Sequence, residues 1–419
     1  MLSKNFFVII SNICYTIDMY DVIIVGAGAS GLVCAIVSAQ RGKRVLVLEK
    51  NNRVGKKLLA TGNGRCNITN QRPTFERFHS QNPKFIIETL DEYNYQSIKQ
   101  FFRSIGIELI EAKEAKVFPM SLQASTVVDL LEYEAREQGV NILCDSKVER
   151  VEYKNSRYKI IHSKGKGKAE SKKLVIATGH QSSPQLGGVE DGVIFAKRFG
   201  HNIVESSPSL VQLTSSMPKL KYIAGVKVEG RVKFKDTTIS GDILFTNYGI
   251  SGLAILDISR LVVKELKSKK EVVLTLDLMP KMSNEQLFSL FKKSLKKAQK
   301  PINIWLEGFM NKKLVSFILE PLGLKNKTID ILIFDKKLLK EIIKQIKSFE
   351  FTIDGSRGFQ GAEVAMGGVD TRDINPKTME SKIQKGLYLI GEVLDIDGDR
   401  GGFNLHFAWV SGIRAGESV

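Results

Sequence analysis

The apolar positions of this chain change rhythm several times, and each change marks a different kind of element. DVIIV, residues 21–25, is an unbroken run of strand formers, the pattern of a strand buried on both faces. It leads into Gly26-Ala27-Gly28-Ala29-Ser30-Gly31, an apolar helix, and a second strand from Arg44 to Leu48 that ends on Glu49. A glycine-rich loop, TGNGRCNITN, follows from Thr61 to Asn70. Helical spacing then covers about 82–104, a strand is expected near Ile107–Ile110, an amphipathic helix over 124–138, and a strand at VNILC. Between Lys147 and Ala169 short alternating segments with lysine-rich turns read as a β-meander, closing on the buried strand KKLVIATG, which ends at Gly179. Residues 207–278 read as mostly strands (VKVEGRVKF, ISGDILF, EVVLTLDL) between turn residues. Over 280–348 the period becomes helical: NEQLFSLFKKSLKKAQ, KKLVSFILEPLGL and KKLLKEIIKQIKSF place lysine opposite an apolar stripe. The end of the chain returns to α/β character, with GLYLIGE as a buried strand, LDIDGDRGGFN as a turn and LHFAWVSGIRAG as a helix.

The first of these units predicts chemistry. In a strand–GxGxxG–helix–strand–acid context, Gly26 permits the tight turn, Gly28 lets backbone approach a pyrophosphate and Gly31 lets helix and strand pack closely. The helix amino terminus, reached through Ala27 and Ser30, offers free N–H groups to phosphates. Glu49 can accept the hydroxyls of an adenosine ribose and would repel a 2′-phosphate; Lys50 follows it. Ala177, Thr178 and Gly179, at the end of a strand after a meander, mark where such a domain passes under its cofactor a second time. Gly391-Glu392, with Gly401 and Gly402 before a helix, reads as a further contact with the same ligand, so the domain is expected to be built from both ends of the chain. A ligand held at both ends of a discontinuous domain is more naturally resident FAD than exchanging NAD.

Composition narrows the picture. A chain of 419 residues is too long for one compact core. No apolar run is long enough to cross a bilayer, so no membrane association is expected. The cysteines, Cys14, Cys34, Cys66 and Cys144, form no CxxC pair; neither a zinc site nor another metal site is expected, and a reducing cytoplasm is the expected compartment. The net charge of +17 is mostly lysine spread along the chain, without an arginine stripe interleaved with aromatics; it is read as solvated surface, not as a nucleic-acid site. Residues 1–18 imitate a signal peptide loosely, but Ser11 and Asn12 interrupt the apolar stretch and no small-residue cleavage site follows. They are expected to be an N-terminal extension ahead of Met19.

GAGASGL with Glu49, TGNGRCNITN, VFPMSLQASTVVD, LFTNYGISG, GGVD followed by TMESK, and GLYLIGEVLDIDGDRGGFN occur in this order. By these motifs the chain, over nearly all of 19–419, resembles the BaiN-like bacterial flavoprotein family, which includes aminoacetone-oxidase-like enzymes. The resemblance implies tightly bound FAD and a discontinuous Rossmann-like FAD domain, expected at 19–206 and 358–419. It also implies an inserted six-stranded β-barrel (207–279 and 349–357) and a nested helical subdomain (280–348). It further implies that Gly26, Gly28, Ser30 and Gly31 hold the pyrophosphate, Glu49 the ribose and Val148 the adenine. Gly62, Gly64, Arg65, Cys66 and Asn67 would line the pyrophosphate-to-flavin side, and Gly391 and Glu392 the ribityl or phosphate end. Gly401, Gly402, Phe403 and Asn404 would abut the pyrimidine edge of the isoalloxazine, where a helix amino terminus stabilises the negative charge of a reduced flavin. The chain departs from the family pattern at Phe403 and His406 (in place of Tyr and Gln), Asn247 (His), Leu253 (Pro) and His180 (Gly).

His406, close to the start of that helix, is the candidate proton donor; the competing reading is a packed ring with satisfied nitrogens. Cys66 has no second cysteine nearby and reads as packing. Tyr248 and Arg65 are candidate substrate or flavin contacts. The favoured activity is reduction of a small unsaturated or carbonyl substrate, with NAD(P)H as transient donor at the flavin face, because only one complete GxGxxG is visible. An oxygen-dependent oxidase of a small amine and an FAD-fold protein that acts by binding RNA or another partner are the alternatives.

Overall fold

The computed structural model describes residues 19–164, 167–295, 300–324 and 327–419. The expected extension at 1–18, residues 165–166 of the expected meander and residues 296–299 of the expected helix over 284–299 lie outside the described residues.

A parallel sheet organises both ends of the chain. Its strands run in the order Asn141–Leu143, Val45–Leu48, Met19–Val25, Gly167–Ile176, Leu387–Leu389. Val22, Ile23, Ile24 and the whole of Val45–Leu48 are buried, as strands of a sheet covered on both faces are. The strand Gly167–Ile176 makes this sheet mixed: its first half pairs antiparallel with Arg157–His162, and its last three residues pair parallel with Leu387–Leu389. The C-terminal helix Phe403–Ser418 lies against the first helix, Ala29–Gln40. Two small residues set that distance, since a Cβ on Gly412 would come 2.6 Å from the Ser30 carbonyl oxygen and one on Gly416 would come 3.0 Å from that of Cys34. Sequence ends more than 350 residues apart thus share one apolar core.

A second core begins at Val211 and ends at Met366. It contains an antiparallel sheet whose order is Phe349–Ile353, Val272–Asp277, Lys227–Phe234, Thr237–Thr246, Gly249–Ser251, Leu213–Thr214, Gly355–Ser356. Leu287, Phe291, Trp305, Ile318 and Ile342 of the helices between 284 and 347 belong to the same core. The two chain crossings between the cores, Ile203–Ser209 and Val364–Val369, pair antiparallel side by side.

Three sequence expectations change. The stretch 207–278 is not mostly strand: Leu253–Leu266 is a helix burying Ile255, Ile258 and Val262. Its β-branched content imitates a strand, but the buried positions follow helical spacing. The helical region near 82–104 is two helices, Pro83–Leu90 and Tyr95–Ser104, the second capped by the Asn94 side chain. The helix in KKLVSFILEPLGL is Lys312–Leu319, ending ahead of Pro321.

Candidate functional site

A cavity of about 510 Å³ runs from the first glycine turn to the start of the C-terminal helix, within the size range of ligand sites. At one end, Gly26 adopts φ +106°, and a Cβ on Gly31 would come 2.0 Å from the Gly26 carbonyl oxygen, so helix and strand meet backbone to backbone. A Cβ on Gly28 would meet nothing within 4 Å, and the helix it caps receives no side-chain hydrogen bond. Bare first-turn N–H groups beside open space are what a pyrophosphate requires. Glu49 is buried and aimed by three donors: the Ala27 N–H (2.8 Å) bonds Oε2, and the Asn51 N–H (2.8 Å) and side-chain amide (2.6 Å) bond Oε1. Lys50 and Val148 line the same end.

In the middle, Glu392 forms a network that its motif did not reveal. Lys57 Nζ donates to Oε2 (2.7 Å), while Ser182 Oγ (2.7 Å) and the Ala365 N–H (3.0 Å) donate to Oε1. Burial pushes the Glu392 carboxyl up, but Lys57 and Ser182 outweigh it, and the net shift is below the ordinary carboxylate value. Glu392 is therefore an anion with a fixed orientation. Gly391 does not line the cavity; it abuts Ser30, whose Oγ would be 2.6 Å from a Cβ there.

At the far end, Gly401, Gly402 and Asn404 line the wall with Asp399 and Arg400. The Asn404 amide clamps the turn, its Oδ1 accepting from the Gly398 N–H (2.8 Å) and its Nδ2 donating to the Gly398 carbonyl (2.7 Å). Two ion pairs tie this turn to the inserted helix: Arg400 with Asp257 through two bonds (3.2 and 2.9 Å), and Arg260 with Asp397 (2.9 Å). Leu210, Leu253, Glu363 and Val364 complete this end, and they come from the insert and its crossings.

Of the other predicted residues, Ala27, Ser30, Gly62, Arg65, Asn67, Ala177, Thr178 and Gly179 line the cavity. Gly31, Gly64, Cys66 and Phe403 do not. Cys66 is buried in a left-handed turn (φ 57°), and burial pushes its thiol up to about 12, which leaves it unreactive. Phe403 packs edge-on against Phe78 at 5.8 Å beneath the Arg77 guanidinium. Arg65 stacks on Phe118, and both face the cavity. Tyr248 is not part of the wall; its ring carries Arg357.

The two histidines separate. His180 lines the cavity, its Nδ1 accepting the Gln181 N–H (2.8 Å) and its Nε2 lying 3.0 Å from Ser206 Oγ. His406 is fully buried outside the wall. Its Nε2 donates to the Tyr93 carbonyl (3.2 Å), so its Nδ1 accepts from the Thr69 hydroxyl (2.8 Å). Burial lowers its pKa to about 4, although the bond to Tyr93 opposes the shift. Sequence reasoning did not mark Asn51, Lys57, Ser182, Glu363 or Arg400. Only the basic pair Lys56-Lys57, ahead of a glycine loop, offered a signal.

Among the described residues no cluster of three or more His, Cys, Asp or Glu could hold a metal, and no helix is long and apolar enough to cross a membrane.

Fold and cavity define a Rossmann-type, FAD-binding oxidoreductase. The model of the HI0933-like protein Rossmann domain matches residues 20–418, and the chain belongs to that family. It is similar to the 3-dehydro-bile acid delta(4,6)-reductase of Clostridium scindens, with 34% identity over 412 residues covering 94% of this chain and 98% of the relative. It is also similar to the ribosomal RNA dihydrouridine synthase of Haemophilus influenzae, with 33% identity over 406 residues covering 95% and 98%. The enzyme of the same name from Escherichia coli is 31% identical over 404 residues, covering 94% and 96%. Among solved structures, the 3-ketosteroid-delta4-(5alpha)-dehydrogenase of Rhodococcus jostii RHA1 shares the fold, with TM-score 0.52 and 14% identity over 97% of this chain and 98% of that one. The expectation that nucleic acid is not a partner draws no support from relatives named for ribosomal RNA.

Proposed function

We propose that this chain uses NAD(P)H to saturate a carbon–carbon double bond conjugated to a carbonyl. The observation that carries the reading is the continuity of one cavity from the dinucleotide cradle at Gly28 and Glu49 to a chamber walled by Arg400, Leu210, Leu253 and Glu363. FAD, when bound, supplies two-electron hydride chemistry. The chain's residues do the rest. The amino terminus at Gly28 and the Glu49 carboxylate anchor the ADP part, and Glu392, oriented by Lys57 and Ser182, receives hydroxyls in the middle. Gly401 and Gly402 would leave room beside a bound flavin, and the helix amino terminus at Phe403 would supply N–H groups favouring negative charge there. His406 holds the C-terminal helix to Thr69 and Tyr93 and moves no proton. The insert, which we take to be a six-stranded barrel because the end strands of its sheet are consecutive on either side of Asp354, closes the substrate chamber.

The names of the relatives support this chemistry, since a bile-acid 4,6-reductase and a dihydrouridine synthase both hydrogenate such a bond. We favour a small ketone, because the chamber is walled by the insert. A uracil ring presented by RNA is the second reading, favoured by the +17 charge. Incubation with NADPH or NADH and either 4-androstene-3,17-dione or ribosomal RNA, followed by mass analysis, tests both. Gain of two hydrogens by the ketone supports the first reading, and gain by uridine supports the second. Absence of both, with peroxide formed from aminoacetone in air, overturns them in favour of the oxidase.

A further inference from the structure

One carboxylate in the chamber has no assigned task. Glu363 begins the returning crossing, one residue ahead of the strand Val364–Val369, and its N–H donates to the Leu210 carbonyl (3.2 Å). Both residues line the cavity. Among the described residues the Glu363 side chain has neither a hydrogen-bond nor an ion-pair partner, whereas the neighbouring acids are committed: Glu392 to Lys57, Asp257 to Arg400, Asp397 to Arg260 and Asp399 to Arg77 and His79. By area the side chain is exposed, yet protein encloses it enough that desolvation pushes its carboxyl above the ordinary value. The charged groups acting on it are Arg400 and Lys57, which favour the anion, and Asp257, which opposes it. Opposite it, Leu210 is held at φ 49°, a left-handed conformation that costs a branched residue roughly 1–3 kcal/mol. Such strain tends to persist where function fixes the backbone.

We propose that Glu363 is the catalytic proton donor of this chamber, delivering its carboxyl proton to the substrate carbon α to the carbonyl. The assignment rests on the reductase reading above. Hydride adds to the β carbon, the double bond's π pair becomes an enolate, and the O–H bond of Glu363 breaks as the α C–H bond forms. Water then returns a proton to the carboxylate. Two electrons and one proton come from NAD(P)H and one proton from solvent, so the reaction balances. An uncommitted carboxyl lining the chamber, its affinity for a proton raised by the protein around it, suits the task, and an acid already paired to arginine does not.

The test uses FAD-loaded wild type, Glu363→Gln and Glu363→Asp. Flavin is bleached anaerobically with NADPH or NADH, and reoxidation by 4-androstene-3,17-dione is then followed. Glu363→Gln should slow reoxidation about a hundredfold or more, with Glu363→Asp restoring part of the rate. Infrared difference spectra of wild type minus Glu363→Gln should show a carboxylic acid C=O band persisting to pH values above ordinary glutamate titration. Unchanged reoxidation in Glu363→Gln overturns the assignment. So does loss of FAD from that variant, which would make Glu363 a cofactor ligand, or a band that titrates at or below the ordinary value. A wild type that no unsaturated ketone reoxidises refutes the reductase reading instead, and the infrared titration still decides whether Glu363 is held neutral.

Discussion

A buried imidazole with a partner on each nitrogen resists protonation, and His406 is such a group. In the folded chain it titrates at about 4, against 6.5 for an unperturbed histidine. Between those values the unfolded chain binds a proton that the folded chain does not. The stability this residue contributes is therefore complete above pH 6.5 and is lost as pH falls towards 4, by about 3 kcal/mol in all. Urea unfolding at a series of pH values should show this as the difference between wild type and His406→Gln, with turnover at pH 7 retained in the variant. A variant that unfolds in parallel with wild type but loses turnover would return His406 to catalysis. Gly31 makes a second prediction. With the Gly26 carbonyl oxygen 2.0 Å from where its Cβ would stand, Gly31→Ala should cost about 3 kcal/mol or more and release FAD. Retention of FAD at wild-type stoichiometry would contradict the close backbone contact.

At the scale of elements, the helix Leu253–Leu266 and the turn 397–400 form the joint between the two cores. Arg260–Asp397 and Arg400–Asp257 cross it in opposite senses, each side supplying one acid and one base. Asp397 is buried and Arg260 half-buried, so Arg260→Ala, which strands the buried carboxylate, should cost about 3 kcal/mol, and Arg260→Met combined with Asp397→Leu should recover most of it. Additive losses in the double variant, read from urea midpoints, would show that the pair is not coupled. This joint was not legible in the sequence. The parallel strands were, because DVIIV and the strand within GLYLIGE are apolar at every buried position, and so were the glycine turns. The joint helix was missed because Ile255, Ile258, Val262 and Val263 read as strand formers. The site divides in the same way. Gly28 and Glu49 announce themselves by spacing, whereas Lys57 reaches Glu392 across 335 positions of sequence, and nothing local to either residue indicates the other. Glu363 had no motif of its own; only the fold places it in the chamber.

Over the whole molecule, the two ends of the chain share one core, and the middle contributes Leu253 to the cavity that core borders. Gly412 and Gly416 bring the last helix against the first, so the fingerprint at Gly26 and the turn at Gly401 face one cavity. The insert and its two crossings add apolar walls at Leu253 and Leu210 and an uncommitted acid at Glu363. On the function proposed above, this cavity passes electrons from a pyridine nucleotide to a conjugated double bond. The most direct measurement is an anaerobic titration of the FAD-loaded protein followed by flavin absorbance. Bleaching by NADPH or NADH is expected, then full return of colour on adding an α,β-unsaturated ketone or a uridine-containing ribosomal RNA without oxygen. Flavin that stays oxidised with both pyridine nucleotides, yet is bleached by aminoacetone and recovers only in air, would contradict that function.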